Sequence, residues 1–402
     1  MSKQKFQIPK WAYEFHGHEC PFMPIGYRMG TLALQKLGVV KSKDHDLHVF
    51  SGTLKRIFTI GLIVLIPVFS SAQEKQEWIK NLSPIVQVFG TASYDVENNH
   101  YGYSFGRAHL GFQYQFNDKW RSKIIIDRGR PTSFSGLTVS DSLGNLLNVN
   151  YNYKEGSYYT FWLKFASLQW KVNDKLTLEG GAILQNHYIT QERFWGLRYV
   201  AQTFQDLYWK IPSSDLGFIA YYKINKVFSF DAALTNGEGP RVKQDALGQI
   251  KFAGGININP NNKIQSRIYY HNRQSGIDTA ATEQMFSYFI GFKPGTKFRI
   301  GAEFNYMNNL ENFDDLNSLG YSVYSAFKIN QKTEFFARYD RLLYEEPAIK
   351  PLSVLGNGNT FMGGVSYSPI KGINLSLNYQ GWIPDDKNDY QNRLLFSMEY
   401  KF

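Results

Sequence analysis

Hydrophobic and polar residues alternate one by one over long stretches of this chain, with the period of two that belongs to strands rather than helices. Near the end, Leu394, Phe396, Met398, Tyr400 and Phe402 fall on one side of an extended segment, and Arg393, Leu395, Ser397, Glu399 and Lys401 fall on the other. Ala108, Leu110, Phe112, Tyr114 and Phe116 alternate likewise with Arg107, His109, Gly111, Gln113 and Gln115. So do Phe298, Ile300, Ala302, Phe304 and Tyr306 with Arg299, Gly301, Glu303 and Asn305, and Ile373, Leu375, Leu377 and Tyr379 with Asn374, Ser376, Asn378 and Gln380. A strand apolar toward lipid and polar toward water is what the wall of a transmembrane barrel requires. The edge of a soluble sandwich would alternate too, so the strands need a second observation.

The turns supply it. Asn117-Asp-Lys119, Asn173-Asp-Lys175, Asn225-Lys226, Asn261-Asn-Lys263, Pro294-Gly-Thr-Lys297, Asn330-Gln-Lys332 and Pro369-Ile-Lys-Gly372 are tight hairpin signals, built from residues that preset or tolerate turn dihedrals. Longer polar stretches lie between them, near 98–104, 129–157, 187–213, 237–247, 272–283, 309–318, 344–357 and 384–389. Short turns at one end and long loops at the other are the asymmetry of an outer-membrane barrel. Seven tight turns join two strands each, and a first and a last strand bring the expectation to about 16, an even number. The expected fold is therefore all-β, a closed antiparallel transmembrane barrel preceded by a short helical N-terminal segment. A chain that stops on Phe after an alternating strand also resembles the signal by which bacterial outer-membrane barrels are recognised for assembly.

Composition agrees. With 402 residues, 43% hydrophobic and 16% aromatic, the chain can line a large barrel, yet its mean hydropathy is negative. A helical membrane bundle needs repeated apolar runs of about 20 residues, and only one long apolar run is present, Ile57 to Phe69. Lys55-Arg56 precede it and Ser70-Ser-Ala72 follow it, the pattern of a secretory signal peptide. A retained anchor is the alternative, but thirteen residues as helix span only about 20 Å. Cleavage after Ala72 would start the mature protein at Gln73, and the organisation reads as 1–53 a fragment, 54–72 a signal peptide and 73–402 the barrel.

Half of the net charge of +10 falls on residues 1–72, which hold nine Lys/Arg and four Asp/Glu of totals of 44 and 34. The basic residues of the large part recur singly along strands rather than in blocks, which argues against nucleic acid as a partner. Cys20, the only cysteine, excludes an intrachain disulfide.

Residues before the signal peptide carry a separate motif. Phe15-His-Gly-His-Glu-Cys-Pro21, with Pro24-Ile-Gly-Tyr-Arg-Met-Gly30 and Ala33-Leu-Gln-Lys-Leu-Gly38, resembles the opening of the FmdE family of formylmethanofuran dehydrogenase proteins over about residues 9–52. In that family the segment begins a compact metal-associated domain. His16, His18 and Cys20, with His45 and His48, have the chemistry of zinc ligands, but so short a piece has little core to hold them. The reading here is a truncated or mis-joined remnant without a working metal site, so no cofactor is expected, zinc being the only one the residues could suggest. Translation from Leu54 through a non-standard start codon would leave an ordinary signal peptide in front of the barrel.

A barrel of about 16 strands encloses water, so passive conduction is the expected function, and inward charges should set its preference. Arg107, Arg121, Lys123, Arg267, Arg299, Arg338 and Arg393 face Asp231, Glu303, Glu334, Asp340 and Glu399 on that reading. The modest basic excess implies a weak anion preference, unless facing strands pair these charges and cancel them. The third long loop, from Gln191 to Trp209, is too aromatic for a free tip and should fold onto something. With Phe116-Asn-Asp-Lys-Trp120, Ser214-Asp-Leu-Gly217 and Leu234-Thr-Asn-Gly-Glu-Gly239, it resembles the porins of Bacteroidetes related to phosphate-selective porins O and P, over most of residues 84–402.

The resemblance implies a 16-stranded outer-membrane channel for small anions or hydrophilic solutes, a homotrimer in outer-membrane lipid, and a third loop that narrows the lumen with Arg193, Arg198 and Lys210. No close run of lysines or arginines matches a dedicated phosphate ladder. A barrel enzyme is the rival from another class. His100, His109, His187 and His271 are scattered without a nucleophile motif, so no catalysis is expected. A metal enzyme at the N-terminus carrying the barrel as a passenger is the remaining alternative.

Overall fold

In the computed structural model the described residues are 78–129, 137–140, 146–149, 161–239, 249–277, 280–345, 356–386 and 390–402. The expected N-terminal fragment and signal peptide, with His16, His18 and Cys20, lie outside them.

The first half of the barrel domain holds β1 (Leu82–Asp95), β2 (His100–Gln115), β3 (Trp120–Arg128), a small hairpin of β4 (Leu137–Ser140) and β5 (Leu146–Val149), β6 (Phe161–Lys171), β7 (Leu176–Leu184), the short helices α1 (Ile189–Trp195) and α2 (Phe204–Tyr208), and β8 (Ser214–Lys223). The second half holds β9 (Phe228–Thr235), β10 (Ile250–Ile258), β11 (Ile264–Gln274), β12 (Glu283–Phe292), β13 (Phe298–Asn308), β14 (Ser318–Lys328), β15 (Thr333–Tyr344), β16 (Gly358–Tyr367), β17 (Ile373–Pro384) and β18 (Gln391–Lys401).

All strands but β4 and β5 form one closed antiparallel barrel of 16, each paired with its neighbour in sequence and β1 paired with β18. Closure runs to the final residue. Val88 stands opposite Tyr400, and Val86 and Phe402 exchange two backbone hydrogen bonds of 3.1 Å.

Each of the seven expected tight turns joins a strand pair, and five are closed by their asparagine. Asn117 Oδ1 accepts the backbone N–H groups of Lys119 and Trp120 at 2.9 and 3.0 Å, and Asn330 Oδ1 accepts those of Lys332 and Thr333 at 2.8 Å each. This side chain replaces a turn hydrogen bond and fixes the register of the hairpin. At the other end two expected loops are shorter than their polar composition implies. Residues 100–104 belong to β2 and 272–274 to β11, because backbone pairing continues past the point where polar residues begin, and in β2 the outer face there is still aromatic, with Tyr101 and Tyr103 exposed. The segment 129–157 likewise contains the β4–β5 hairpin.

The faces follow the alternation. Leu110, Phe304, Leu377 and Leu394 are 51%, 43%, 63% and 53% exposed on the outer surface, where lipid would meet them. Arg107, Glu303, Ser376 and Glu399 are buried on the inner side. Several inner positions of β11 to β16 break the polar rule. Tyr269, Met285, Phe289, Met307, Tyr324, Phe336 and Met362 point inward and are buried, and they are the ground on which the third loop lies.

Candidate functional site

The segment from Gln185 to Pro212 leaves β7 and returns to β8 after folding into the lumen. Its aromatic residues decide this. Phe194, Trp195, Leu197 and Tyr199 pack with Phe289, Tyr324, Phe336 and Met362 in one apolar cluster, and Phe204, Tyr208 and Trp209 pack with Tyr269, Met285, Met307 and Leu342 in a second. Two glycines make the fit possible. A Cβ on Gly291 would stand 2.4 Å from the Phe194 ring, and one on Gly320 would stand 1.8 Å from the Phe204 ring, so both rings lie against bare backbone.

Polar contacts fasten the loop at both ends and in the middle. Arg267 donates to the Asn186 carbonyl at 2.8 Å, and Thr190 donates to Asn257 at 2.8 Å. Arg299 donates to the Trp195 carbonyl at 2.9 Å, Arg338 to that of Gln202 at 2.5 Å and Gln380 to that of Val200 at 3.0 Å. Gln205 bridges Ser287 and Asn305 at 3.0 and 2.6 Å, and Tyr208 lies 2.8 Å from both Asp340 and Thr360. Wall strands from β10 to β17 thus hold the loop in place. Within it α1 ends at Gly196, whose φ of 72° is the left-handed cap that glycine adopts freely.

A charged network stiffens the turn between the helices. Arg198 donates to Glu192 at 2.6 Å and to Asp206 at 3.2 Å, and His187 Nε2 stands 3.5 Å from Asp206. Burial opposes the charge on Arg198, but Asp206 and Glu192 more than offset it and raise its pKa. Burial would raise the Asp206 carboxyl, but the nearby His187 imidazole and the charge of Arg198 hold it below the usual range. His187 is fully buried, and burial pulls it down to about 4, only partly opposed by Asp206.

Other inward charges stand on the wall of β2, β3, β6 and β7. Arg107 donates to Gln87 at 2.9 Å and lies over the Phe89 ring at 4.8 Å, and Arg198, Glu192 and Asp127 are among the charges that act on it. Arg121 is held by Gln169. Lys123 stands 3.6 Å from Glu179. Lys164, which the alternation of residues does not single out, forms a 2.8 Å ion pair with Asp127, 3.3 Å from His109.

Most inward charges are paired, so the facing strands largely cancel them. Arg267 binds Asp231 at 2.8 Å, Arg299 binds Glu334 at 2.7 Å and Arg338 binds Asp340 at 2.8 Å. Arg393 sits instead at the long-loop rim, 47% exposed and 3.5 Å from Asp95. The three loop cations are not brought together. Arg198 belongs to the buried network, while Lys210 is exposed beside the start of β8 with a φ of 51°. Arg193 is exposed at the opposite end, where it lines a pocket with Lys263, Lys293, Lys297, Lys328 and the Arg299–Glu334 pair. This cluster of cations was invisible in the sequence because three separate turns and one loop supply it. Lys293 also covers the Phe194 ring at 4.5 Å.

Solved structures with the same architecture confirm its class. The chain aligns with Pseudomonas putida OprB over 82% of its length and 96% of that chain, with a TM-score of 0.60 at 11% identity. It aligns with Salmonella typhi OmpF, solved with daunomycin, over 80% and 97%, with a TM-score of 0.59 at 10% identity. The outer-membrane channel DcaP of Acinetobacter baumannii gives 80% and 97%, a TM-score of 0.52 and 14% identity. The fold is that of the outer-membrane porins. By sequence, no curated protein matches the chain. The family described as FmdE, molybdenum formylmethanofuran dehydrogenase operon, matches residues 15–55, overlapping the segment of about 9–52 where the motif placed that likeness.

Proposed function

We propose that residues 73–402 form an outer-membrane porin through which small hydrophilic solutes diffuse passively, with a weak preference for anions and phosphate among the candidate solutes. One observation carries this reading: a long aromatic loop is clamped inside a closed 16-stranded wall. Such a barrel is too wide for its side chains to fill, and a fixed internal loop sets the passage where a floppy one could not. The passage on this reading runs between the Glu192–Arg198–Asp206 network and the wall that carries Arg107, Arg121, Lys123 and Lys164. Because so many wall charges are paired, the preference for anions rests on Arg107 and Arg121, which amides hold, and on Arg193 and the lysines around it at the tight-turn mouth. The likeness to porins O and P, and with it trimerisation, belongs to the same proposal.

Single-channel recording in planar bilayers at asymmetric salt tests it. The reversal potential is expected to lie on the anion side, and Arg193→Ala and Arg198→Ala are each expected to shift it toward cations. Unchanged conductance and selectivity in both variants would refute a constriction at this loop.

Export through a signal peptide at 54–72 with cleavage after Ala72 completes the proposal, and residues 1–53 are then a remnant without catalytic or zinc-binding function. The match at residues 15–55 favours one second reading, a metal-associated module in front of the barrel. N-terminal sequencing and zinc analysis of protein from outer membranes separate the two. A chain that starts at Gln73 supports the first, and a retained N-terminus with bound zinc supports the second.

A further inference from the structure

The tight turns contain more charge than their geometry needs. In the four turns at Asn117, Asn173, Asn261 and Asn330, the asparagine closes the loop onto the N–H of a lysine two residues on, at 2.8 to 2.9 Å. At Asn225 the side chain accepts from Val227 instead, yet Lys226 occupies the turn. The two proline turns, 294–297 and 369–372, have a different construction and still hold Lys297 and Lys371. Asparagine and proline are explained by closure, and the lysines are not. All seven turn lysines are exposed.

Their position is as informative as their number. The carboxylates at these turn tips are Asp118 and Asp174, and Asp174 is taken by Lys171 at 2.7 Å. Among the described residues, exposed Glu97, Glu311, Asp314, Asp315, Glu345 and Asp385 gather at the long-loop end, where Lys210 and Arg393 are exposed as well. The described part of the tight-turn end is thus strongly cationic, where a surface charged only for solubility would balance the signs. Just above the lysines the outer wall is aromatic. Trp120 stacks flat on Trp170 at 5.3 Å, and Phe298, Phe327, Phe335 and Tyr367 are 38% to 51% exposed. An aromatic girdle marks the membrane interface, and a flexible lysine beyond it reaches the depth of lipid phosphates.

We infer that the tight-turn rim is a lysine collar that binds anionic phospholipid headgroups of the inner leaflet. Tight turns face the periplasm in such barrels, so the inner leaflet is the one within reach. This depends on the barrel spanning a membrane and not on which solute passes through it.

The Trp120–Trp170 pair offers a direct probe, since Lys171 hydrogen-bonds through its backbone to Lys119 and Lys175 closes the next turn. The full chain is placed in vesicles of phosphatidylcholine containing either brominated phosphatidylglycerol or brominated phosphatidylcholine, and tryptophan quenching is compared. Quenching by the anionic lipid is expected to be several-fold stronger, at the level charge attraction near a surface supports, and to fall with salt but not with millimolar phosphate. The combined Lys119→Gln, Lys171→Gln and Lys175→Gln variant is expected to lose the preference, and the corresponding three Lys→Arg changes to keep it. A Trp120→Phe, Trp170→Phe variant should abolish the differential signal. Equal quenching by the two lipids in the unaltered chain, or a preference that survives the glutamine changes, overturns the collar. So does a chain indifferent to lipid charge whose lysines instead retain it on a soluble acidic polymer.

Discussion

Gly320 shows how a residue can matter through what it lacks. It lies in β14 with the Phe204 ring pressed where a side chain would begin, so its role is spatial. Gly320→Ala is expected to push Phe204 out of its seat at about 1–3 kcal/mol, the usual range for overpacking. Trp209 reports the displacement, since its ring is 5.3 Å from Phe204. Its emission should shift to the red, and an unshifted spectrum with full heat resistance would contradict the seat. At this scale the sequence displays what is local. The asparagines of the turns could be identified because their partners are two and three residues away. The glycine seats could not, since Gly320 and Phe204 meet only through the curvature of the wall.

Among the elements, strands and tight turns were legible because each depends on a short pattern, the alternation of faces and the turn residues. That the third loop folds onto something was foreseen from its aromatic content, and its inward course only from the resemblance to porins. Its landing ground was not, although a sign existed: β12 is apolar on both faces, with Met285 and Phe289 inward and Phe286, Tyr288 and Ile290 outward. An inner face that turns apolar announces an occupant. The spread of Arg193, Arg198 and Lys210 over different levels was hidden for the reason that hid the lysine pocket, since chain separation says nothing of depth along a barrel.

The loop network also carries a pH dependence. His187 is depressed in the folded loop, so between its unfolded value of about 6.5 and about 4 the released loop takes up a proton that the seated one refuses. Stability therefore falls with pH across that window, by up to about 3 kcal/mol at its lower end. Asp206, also depressed, adds to the loss as pH falls through the carboxylate range. Limited proteolysis of the loop and conductance fluctuations are expected to rise below about pH 5, and His187→Gln should flatten the upper part of this response. A loop equally protected at pH 4 and pH 7 would contradict the assignment. Arg338 tests the other anchor. Its removal leaves Asp340 buried with the Tyr208 hydroxyl but no cation beside it, and Arg338→Ala is expected to cost about 3–5 kcal/mol, read as a lower temperature for the gel shift between folded and unfolded chain.

For the molecule as a whole, the seam between β1 and β18 is where sequence and topology meet. Parity of the turns fixed the number of strands, and the terminal alternation marked the strand that closes the circle. Phe402 contributes two backbone hydrogen bonds to Val86 and an exposed ring, so its deletion should cost only about 1–3 kcal/mol once the barrel exists. Assembly in cells is expected to suffer far more, if the ring is the recognition signal that its position resembles. Measuring heat resistance and yield of the shortened chain separates the two contributions, and an equal loss in both would argue against a signal.

The inward course of the third loop also constrains the order of events during folding. Its ends leave and rejoin adjacent strands, β7 and β8, while its middle is bonded to strands as far round as β17. A rigid ring of wall could hardly swallow so bulky an aromatic segment afterwards. The loop must therefore be gathered while the first and last strands are still apart, so that the wall is wrapped around a part of itself and the final join locks the contents in.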